Sequence, residues 1–373
     1  MTELDYWLLL NRTGLQPKVQ LALLEHFGSP EAAMEAGEEE LKRVKGVGPE
    51  AAARIITTRS KVDLSSDKRT LERLNIELIT IFDERYPRLL RDIYDPPPVL
   101  YLRGNLEARD ELAVTIVGSR QCSPRGRSVA QKLAAGLAQH GVSVVSGLAL
   151  GIDSAAHEGA LSAQGRTIAV TACGIDVEYP RPNVELRRRI VAQGALLSEL
   201  PLGTTAARWI FAARNRLLSG LSLGTVVVEA QERSGSLITA DHALDQGKHV
   251  FAVPGDVSSP MSKGTHALLR EGATLVESAE DILRPLGIEA PRLVRAPSPI
   301  SSVKPVAEAA PAGAVPLSLG EQSVFLSLGG RQKHIDQIVS DTQLKPAEVS
   351  ATLMLLELKG LARRLPGGTF IRQ

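Results

Sequence analysis

Residues 113–128 read AVTIVGSRQCSPRGRS, and their reading decides the fold. The first five, apolar but for the β-branched Thr115, form a buried-strand run that stops on Gly118. An apolar run without alternation is the pattern of a strand covered on both faces. A strand that ends on glycine and turns is how α/β proteins present backbone N–H groups to a phosphate. Arg120, Arg125 and Arg127 follow with no acid between them. The stretch therefore predicts a phosphate-binding turn. The phosphate could belong to a nucleotide cofactor, a metabolite or a nucleic-acid backbone.

The same pattern recurs outward from this turn. Strands are expected at 76–82, 99–102, 114–117, 142–146, 167–171, 196–200, 225–229, 249–253 and 274–276. Helical segments separate nearly all of them, which predicts an α/β fold with a doubly wound, mostly parallel sheet and right-handed crossovers. In such sheets ligands sit outside the carboxyl ends of the strands. Here those ends read GSR, SGLALGID, ACGID, ELPLG, EAQERSGS and PGDV, rich in glycine and small hydroxyl residues.

The flanks differ. Residues 1–62 carry helical apolar spacing from Leu4 to Phe27 and from Leu41 to Ile56. Between them VKGVGPEAAARI (44–55) is a glycine-bounded turn with Pro49 suited to a first helical turn. The stretch 289–318 is a Pro/Ala-rich linker, with seven prolines from Pro285 to Pro316. Residues 319–373 resume helical spacing and end in LARRLPGGTFIR, a hairpin with Gly367–Gly368 at its tip. Helices followed by a hairpin are the plan of a winged helix.

At 373 residues the chain has room for two or three domains. Its 43 basic and 42 acidic side chains leave a net charge of +1, so any polyanion-binding surface must be local. Cys122 and Cys173 have no metal-ligand spacing, which argues against zinc and fits a reducing compartment. The start, MTELDYWLLL, lacks the basic segment of a signal peptide, and no apolar run is long enough to span a membrane. A cytoplasmic protein is expected.

A nicotinamide site needs G-x-G-x-x-G and an acid at the end of the next strand. Here Gly118 is followed by Ser119–Arg120, and the next strand ends in Ser146–Gly147. A P-loop sequence is also absent. Ser119 and Arg120 instead suit a phosphate held by a turn and a guanidinium fork, unless Arg120 pairs with an acid such as Asp153. Gly147 and Gly151 precede a helix start. His157, flanked by alanines, is either a base or a packed, hydrogen-bonded structural residue. Arg214 and Arg216 stand two apart and cannot share a helical face, so one can reach the cleft while the other pairs internally. Ser234, Gly235 and Ser236 form another turn into a helix, and Lys263 lies at a further one. Such a row of donors suits a polyanion rather than one phosphate. Glu229 could be a lone acid but has no partner in the sequence. No nucleophile–base set, metal cluster or cofactor site is visible. Aromatic residues make up only 3% of the chain; Phe211 and Trp209 are the nearest stacking candidates, with burial in the core the commoner fate.

TIVGSR, VVSGLALGIDSAAHEGAL, GRTIAVTACGIDVEYPRPN, LLSELPLG, FAARNRLLSGLS, VVVEAQERSGSLITADHALDQGKHVFAVPG and SKGTHALLREGA, in that order, closely resemble the DprA (DNA-processing protein A, or Smf) family over about residues 70–285. The resemblance implies an extended Rossmann-like domain at 67–288 that binds single-stranded DNA, shields incoming strands in natural transformation, helps load RecA recombinase, forms dimers and is not an enzyme. It implies Arg120 as a principal phosphate contact. Gly118, Ser119, Ser146 and Gly147 would shape the pocket, with Asn215, Arg216, Ser234, Gly235 and Lys263 nearby. Three positions depart from the family pattern: Leu150 stands for an arginine, Ala212 for a proline expected to stiffen its turn, and His266 for an asparagine. The 1–62 segment looks like a SAM/helix-hairpin-helix module, either holding a phosphate or bracing the main domain. In the winged helix, residues 346–359 mix Glu348 and Glu357 with Lys359, which suits a protein contact at least as well as a DNA groove. A rival reading, a glycosidic hydrolase acting on a nucleotide phosphate, would want a PGGxGT loop that RSGSLITA does not supply.

Overall fold

The computed structural model describes residues 1–288, 319–328, 333–342, 344–359, 361–365 and 369–372. The chain divides into two compact units, Met1–Ala296 and Pro297–Gln373. The linker expected at 289–318 and the hairpin tip Gly367–Gly368 lie outside the described residues.

The first unit opens with α1 (Glu3–Arg12), α2 (Pro17–Phe27), α3 (Pro30–Glu35), α4 (Glu38–Leu41), α5 (Pro49–Lys61) and α6 (Ser65–Leu74). Thr2 and Asp5 start α1 by capping each other's backbone amides. The apolar period from Leu4 to Phe27 is one run in sequence but two helices in space. Gly14 takes φ +62° and Pro17 begins α2, so the chain turns between them. The turn before α5 places Pro49 at its first helical position. Leu8, Leu23, Leu41 and Ile55 are fully buried in a core that also takes in Tyr101 and Leu196 from the sheet. Asn11 ties the bundle down: its Nδ2 donates to the Glu199 carbonyl at 2.9 Å and its Oδ1 accepts from the Tyr101 hydroxyl at 3.1 Å.

The sheet has nine strands: β1 (Glu77–Thr80), β2 (Val99–Gly104), β3 (Ala113–Val117), β4 (Ser143–Ser146), β5 (Thr167–Val170), β6 (Ala195–Ser198), β7 (Gly224–Val227), β8 (His249–Ala252) and β9 (Thr274–Leu275). Their order is β1-β2-β6-β5-β4-β3-β7-β8-β9. From β6 to β9 every pairing is parallel, whereas β2 runs antiparallel to β6 and β1 to β2. Side chains alternate between the faces. Val114 and Ile116 join one core with Leu133, Leu137 and Ile152, while Ala113 and Val117 join another with Leu217 and Leu218. The layers are filled by α7 (Arg88–Arg91), α8 (Pro124–Gln139), α9 (Ile152–Ser162), α10 (Val184–Gln193), α11 (Arg208–Gly220), α12 (Gly235–Asp245), α13 (Lys263–Arg270) and α14 (Ala279–Leu283). The chain winds outward from β3 to β4, β5 and β6, then crosses back to place β7 on the other side of β3. That reversal puts a crevice at the carboxyl ends of β3 and β7.

The second unit holds α15 (Leu319–Leu328), α16 (Ile335–Thr342) and α17 (Pro346–Leu358). Its sheet pairs β12 (Thr369–Arg372) with both β10 (Lys333–His334) and β11 (Ala362–Leu365). Val324, Ile338, Val349, Leu353 and Phe370 form its core. This is a winged helix. α17 contains no basic residue, and Glu348, Met354 and Leu355 on it are exposed.

Candidate nucleic-acid interface

The crevice at the reversal is partly filled by the chain itself. Gly118 leaves β3 so tightly that a Cβ there would stand 2.7 Å from Ile152 and 2.9 Å from the Glu229 carbonyl. The Ser119 N–H donates to that carbonyl at 2.7 Å. The Glu229 carboxylate accepts from the Ser123 N–H at 2.8 Å and the Ser123 hydroxyl at 2.5 Å, while the same hydroxyl oxygen accepts from the Gly126 N–H to cap α8. Gly126 leaves the room for this, since a Cβ there would lie 2.3 Å from the Glu229 carboxyl carbon. An anion at a helix N-terminus is stabilised by the free amides and the helix dipole. In dinucleotide-binding folds that place takes a pyrophosphate; here it takes Glu229. The residue left without a partner in the sequence is thus a structural cap whose partner lies 106 positions upstream.

The loop between β4 and α9 is held from below. Ser146 is fully buried, and its hydroxyl donates to the Ile116 carbonyl at 2.6 Å. The Gly147 N–H donates to Asp153 at 3.1 Å and the Ala149 N–H donates to the same oxygen at 3.3 Å. The Gly147 carbonyl accepts from Arg214 at 2.9 Å. Leu148 adopts φ +57°, a left-handed conformation costing a side-chain-bearing residue roughly 1–2 kcal/mol. Asn183 holds it there, its Nδ2 donating to the Leu148 carbonyl and to the Ser154 hydroxyl, both at 2.9 Å. Gly151, at φ +85°, then presses against the neighbouring turn, and the Ile152 N–H donates to the Ser119 carbonyl at 3.2 Å. Burial pushes the Asp153 carboxyl up, against the pull of Arg214 and the two amides. Burial lowers Arg214 to about 10, which leaves it charged at neutral pH.

Neither arginine of FAARNR reaches open solvent. Arg214 is beneath Gly147, and Arg216 pairs with Asp95 at 2.9 Å and Glu199 at 2.5 Å. The expectation that one of them points into the cleft is corrected, because α11 is covered on both sides. Asn215 is buried as well and donates to the Gly235 carbonyl at 3.0 Å. What remains exposed is Arg120, Gly235 and Lys263, with the side chains of Ser119 and Ser234 half-buried. Ser234 caps α12, and its hydroxyl lies 2.7 Å from that of Ser236. Arg120 does not close on Asp153. Its guanidinium lies 4.3 Å above the ring centre of Phe211, which in turn meets Tyr179 at 5.9 Å. Five of the six crossover loops on this edge also present an exposed cation: Arg120 after β3, Arg181 after β5, Arg208 after β6, Arg233 after β7 and Lys263 after β8; the loop after β4 carries Leu150 instead. Glu178, Glu232 and Asp256 are exposed acids on the same loops. Among the described residues no His/Cys/Asp/Glu group could hold a metal ion, and no helix is long and apolar enough to cross a membrane.

A family model for DNA recombination-mediator protein A, or DprA, matches residues 77–287. The chain belongs to the DprA family. A DprA winged helix domain matches 308–368 and a SAM-like helix-hairpin-helix tandem matches 8–59. Protein Smf of Synechocystis sp. is 33% identical over all of this chain and 99% of its own length. DNA processing protein DprA of Streptococcus pneumoniae is 45% identical over 55% of this chain and 72% of its own. The solved structure of that DprA superposes with a TM-score of 0.68 at 36% identity, covering 76% of this chain and 98% of that one. DNA processing protein A of Helicobacter pylori, solved for its single-stranded DNA binding mode, superposes at 0.52 with 32% identity, covering 57% and 96%.

Against the DprA pattern the departures resolve locally. Ala212 lies inside α11, which begins at Arg208, so the missing proline loosens no turn. His266 faces the Gly255 backbone, its Nε2 lying 3.4 Å from the amide nitrogen and 3.2 Å from the carbonyl oxygen. Leu150 is exposed beside the turn, as is Trp209 at 71%, so the core fate expected for the tryptophan is corrected. Tyr179 and Asn183 were missed in the sequence although both lie in the quoted EYPRPN; without the fold nothing ties that segment to GSR.

His157 is the packed alternative. It is fully buried and its Nδ1 lies 2.6 Å from the Thr167 hydroxyl. That hydroxyl donates to the Val144 carbonyl, so the imidazole N–H donates to it in turn. Burial drops its pKa from 6.5 to about 3. The unfolded chain then binds the extra proton, so stability present above pH 6.5 is lost as pH falls toward 3. At pH 5 the loss from this group should be about 2 kcal/mol. Urea titrations at pH 7 and 5 should show His157→Gln losing less stability on acidification than the parent; equal losses would refute the assignment.

Proposed function

We propose that this protein binds single-stranded DNA along the carboxyl edge of its parallel sheet, through the sugar-phosphate backbone and with little sequence preference. Arg120, Ser234, Gly235 and Lys263 make the contacts; Gly118, Ser119, Ser146, Gly147 and Asn215 shape the turns behind them. Arg216 stays in its ion pairs. The observation that carries this reading is the division of the edge. Its inner anion position is occupied by Glu229, while its outer rim offers a cation at five of its six crossover loops. A small nucleotide would need the first; a polyanion needs the second. From β6 to β8 the edge spans five strand spacings, ~24 Å, or about seven nucleotides of stacked strand. Phe211 and Tyr179 add aromatic faces where a base can stack. The H. pylori relative, solved for its single-stranded DNA binding mode, supports the assignment.

The biological setting follows the family: a cytoplasmic homodimer that protects incoming DNA during natural transformation and helps load RecA, without catalysis of its own. Residues 1–62, 67–288 and 319–373 serve as helical brace, DNA-binding domain and winged helix, joined by the 289–318 linker. A competition titration tests the reading. Labelled single-stranded DNA bound to the full chain is challenged with unlabelled single strand, duplex, nucleoside monophosphates and nicotinamide dinucleotide. Only the single strand should displace it well. Effective displacement by the dinucleotide, or release of free base from a monophosphate, would favour a nucleotide-handling enzyme instead.

A further inference from the structure

Arg214 is given no DNA contact above, yet it is the least ordinary side chain near the edge. It is 3% exposed, and its guanidinium bonds two backbone carbonyls, Gly147 and Val170, which end β4 and β5. Its Nε has no hydrogen-bond partner among the described residues. A buried guanidinium that leaves a donor unused is costly, so its position is set by something other than local satisfaction. The sequence around it is built to admit it. A Cβ on Gly147 would lie 2.4 Å from one terminal nitrogen and 2.6 Å from the other.

What Arg214 holds is the floor under Arg120. It fixes the Gly147 carbonyl, while Asp153 takes the amides of Gly147 and Ala149. Those bonds set the path of the loop to Gly151. There the backbone meets the Ser119–Arg120 turn so closely that a Cβ on Gly151 would stand 2.3 Å from the Ser119 carbonyl and 2.6 Å from that of Arg120. We infer that Arg214 is a positioning residue for single-stranded DNA: it never meets a phosphate, but holds the loop that aims the Arg120 guanidinium at one. The inference rests on the proposed function, and its test keeps the two apart.

Affinity for an oligodeoxythymidylate is measured over a salt series with the full chain. A side chain that touches phosphate releases counterions, so its removal lowers the slope of log affinity on log salt by about 0.7. A positioning residue lowers affinity and leaves the slope alone. Arg214→Met should bind about tenfold more weakly at every salt concentration with the parent slope. Arg214→Lys should recover part of the loss, because an ammonium can still reach one carbonyl. Gly147→Ala should also weaken binding, by displacing the guanidinium without deleting it. Combined with Arg214→Met it should add nothing, since the methionine vacates the space. A slope reduced by about 0.7 would make Arg214 a direct contact. Parent affinity in Arg214→Met, or additive losses in the double variant, would also overturn the inference. Should Arg214→Met fail to fold, Gly147→Ala carries the test alone, and parent affinity in it refutes the role. If Arg120→Ala has no effect either, the site itself is wrong; if only Arg120→Ala acts, the site stands and the positioning role falls.

Discussion

Arg120→Ala should weaken single-stranded DNA binding by about ten- to a hundredfold at low salt. A hydrogen bond from a charged donor to phosphate contributes about 1.5–3 kcal/mol net, and 1.4 kcal/mol is a decade of affinity. Arg120 is the exposed end of an otherwise sealed turn, with its guanidinium resting on Phe211 rather than tied in an ion pair. It can therefore swing to a phosphate without breaking a salt bridge, unlike Arg216. The salt slope should fall by about 0.7. Arg120→Lys should keep the slope and lose part of the affinity, since an ammonium reproduces the charge but neither the planar fork nor its stacking on the ring. Fluorescence anisotropy across a salt series reads both quantities. Parent affinity in the alanine variant at matched salt would remove the centre of the proposed interface.

A large loss of stability is expected at Gly151 on substitution by alanine. Its φ of +85° disfavours any side chain, and the space a Cβ needs is filled by the Ser119 and Arg120 carbonyls. Both obstacles are backbone, so no rotamer change relieves them. Gly151→Ala should cost about 2–4 kcal/mol and weaken DNA binding as the turn shifts. Gly141 is the control. It too has positive φ, +75°, but no described residue lies within 4 Å of its missing Cβ. Gly141→Ala should cost only about 1 kcal/mol. Denaturant titration of the pair separates strain alone from strain plus collision; equal losses would show that the two loops do not press together as described.

Much of this architecture was written in the chain. Unbroken apolar runs marked the buried strands, and glycine at their ends marked the ligand edge, because both patterns are local. Side-chain destinations were less legible. Spacing put Arg214 and Arg216 on different helix faces, correctly, but could not show that both faces are covered: one by the ends of β4 and β5, the other by Asp95 and Glu199. Glu229 seemed idle for a related reason, as Ser123 is adjacent only once β3 and β7 pair. The strand expected at 196–200 stops at Ser198, which frees Glu199 to leave the sheet and meet Arg216. Trp209 is a stacking candidate for which residue type favours the core, yet it sits exposed in the first turn of α11.

The carboxylate of Glu229 on α8 has a physiological corollary. In dinucleotide-binding folds this helix N-terminus takes the pyrophosphate of a free nucleotide. On the proposed interface, a protein that fills this position with its own side chain should have a DNA occupancy set by the amount of polymer and by ionic strength, with the energy charge of the cell leaving it unchanged.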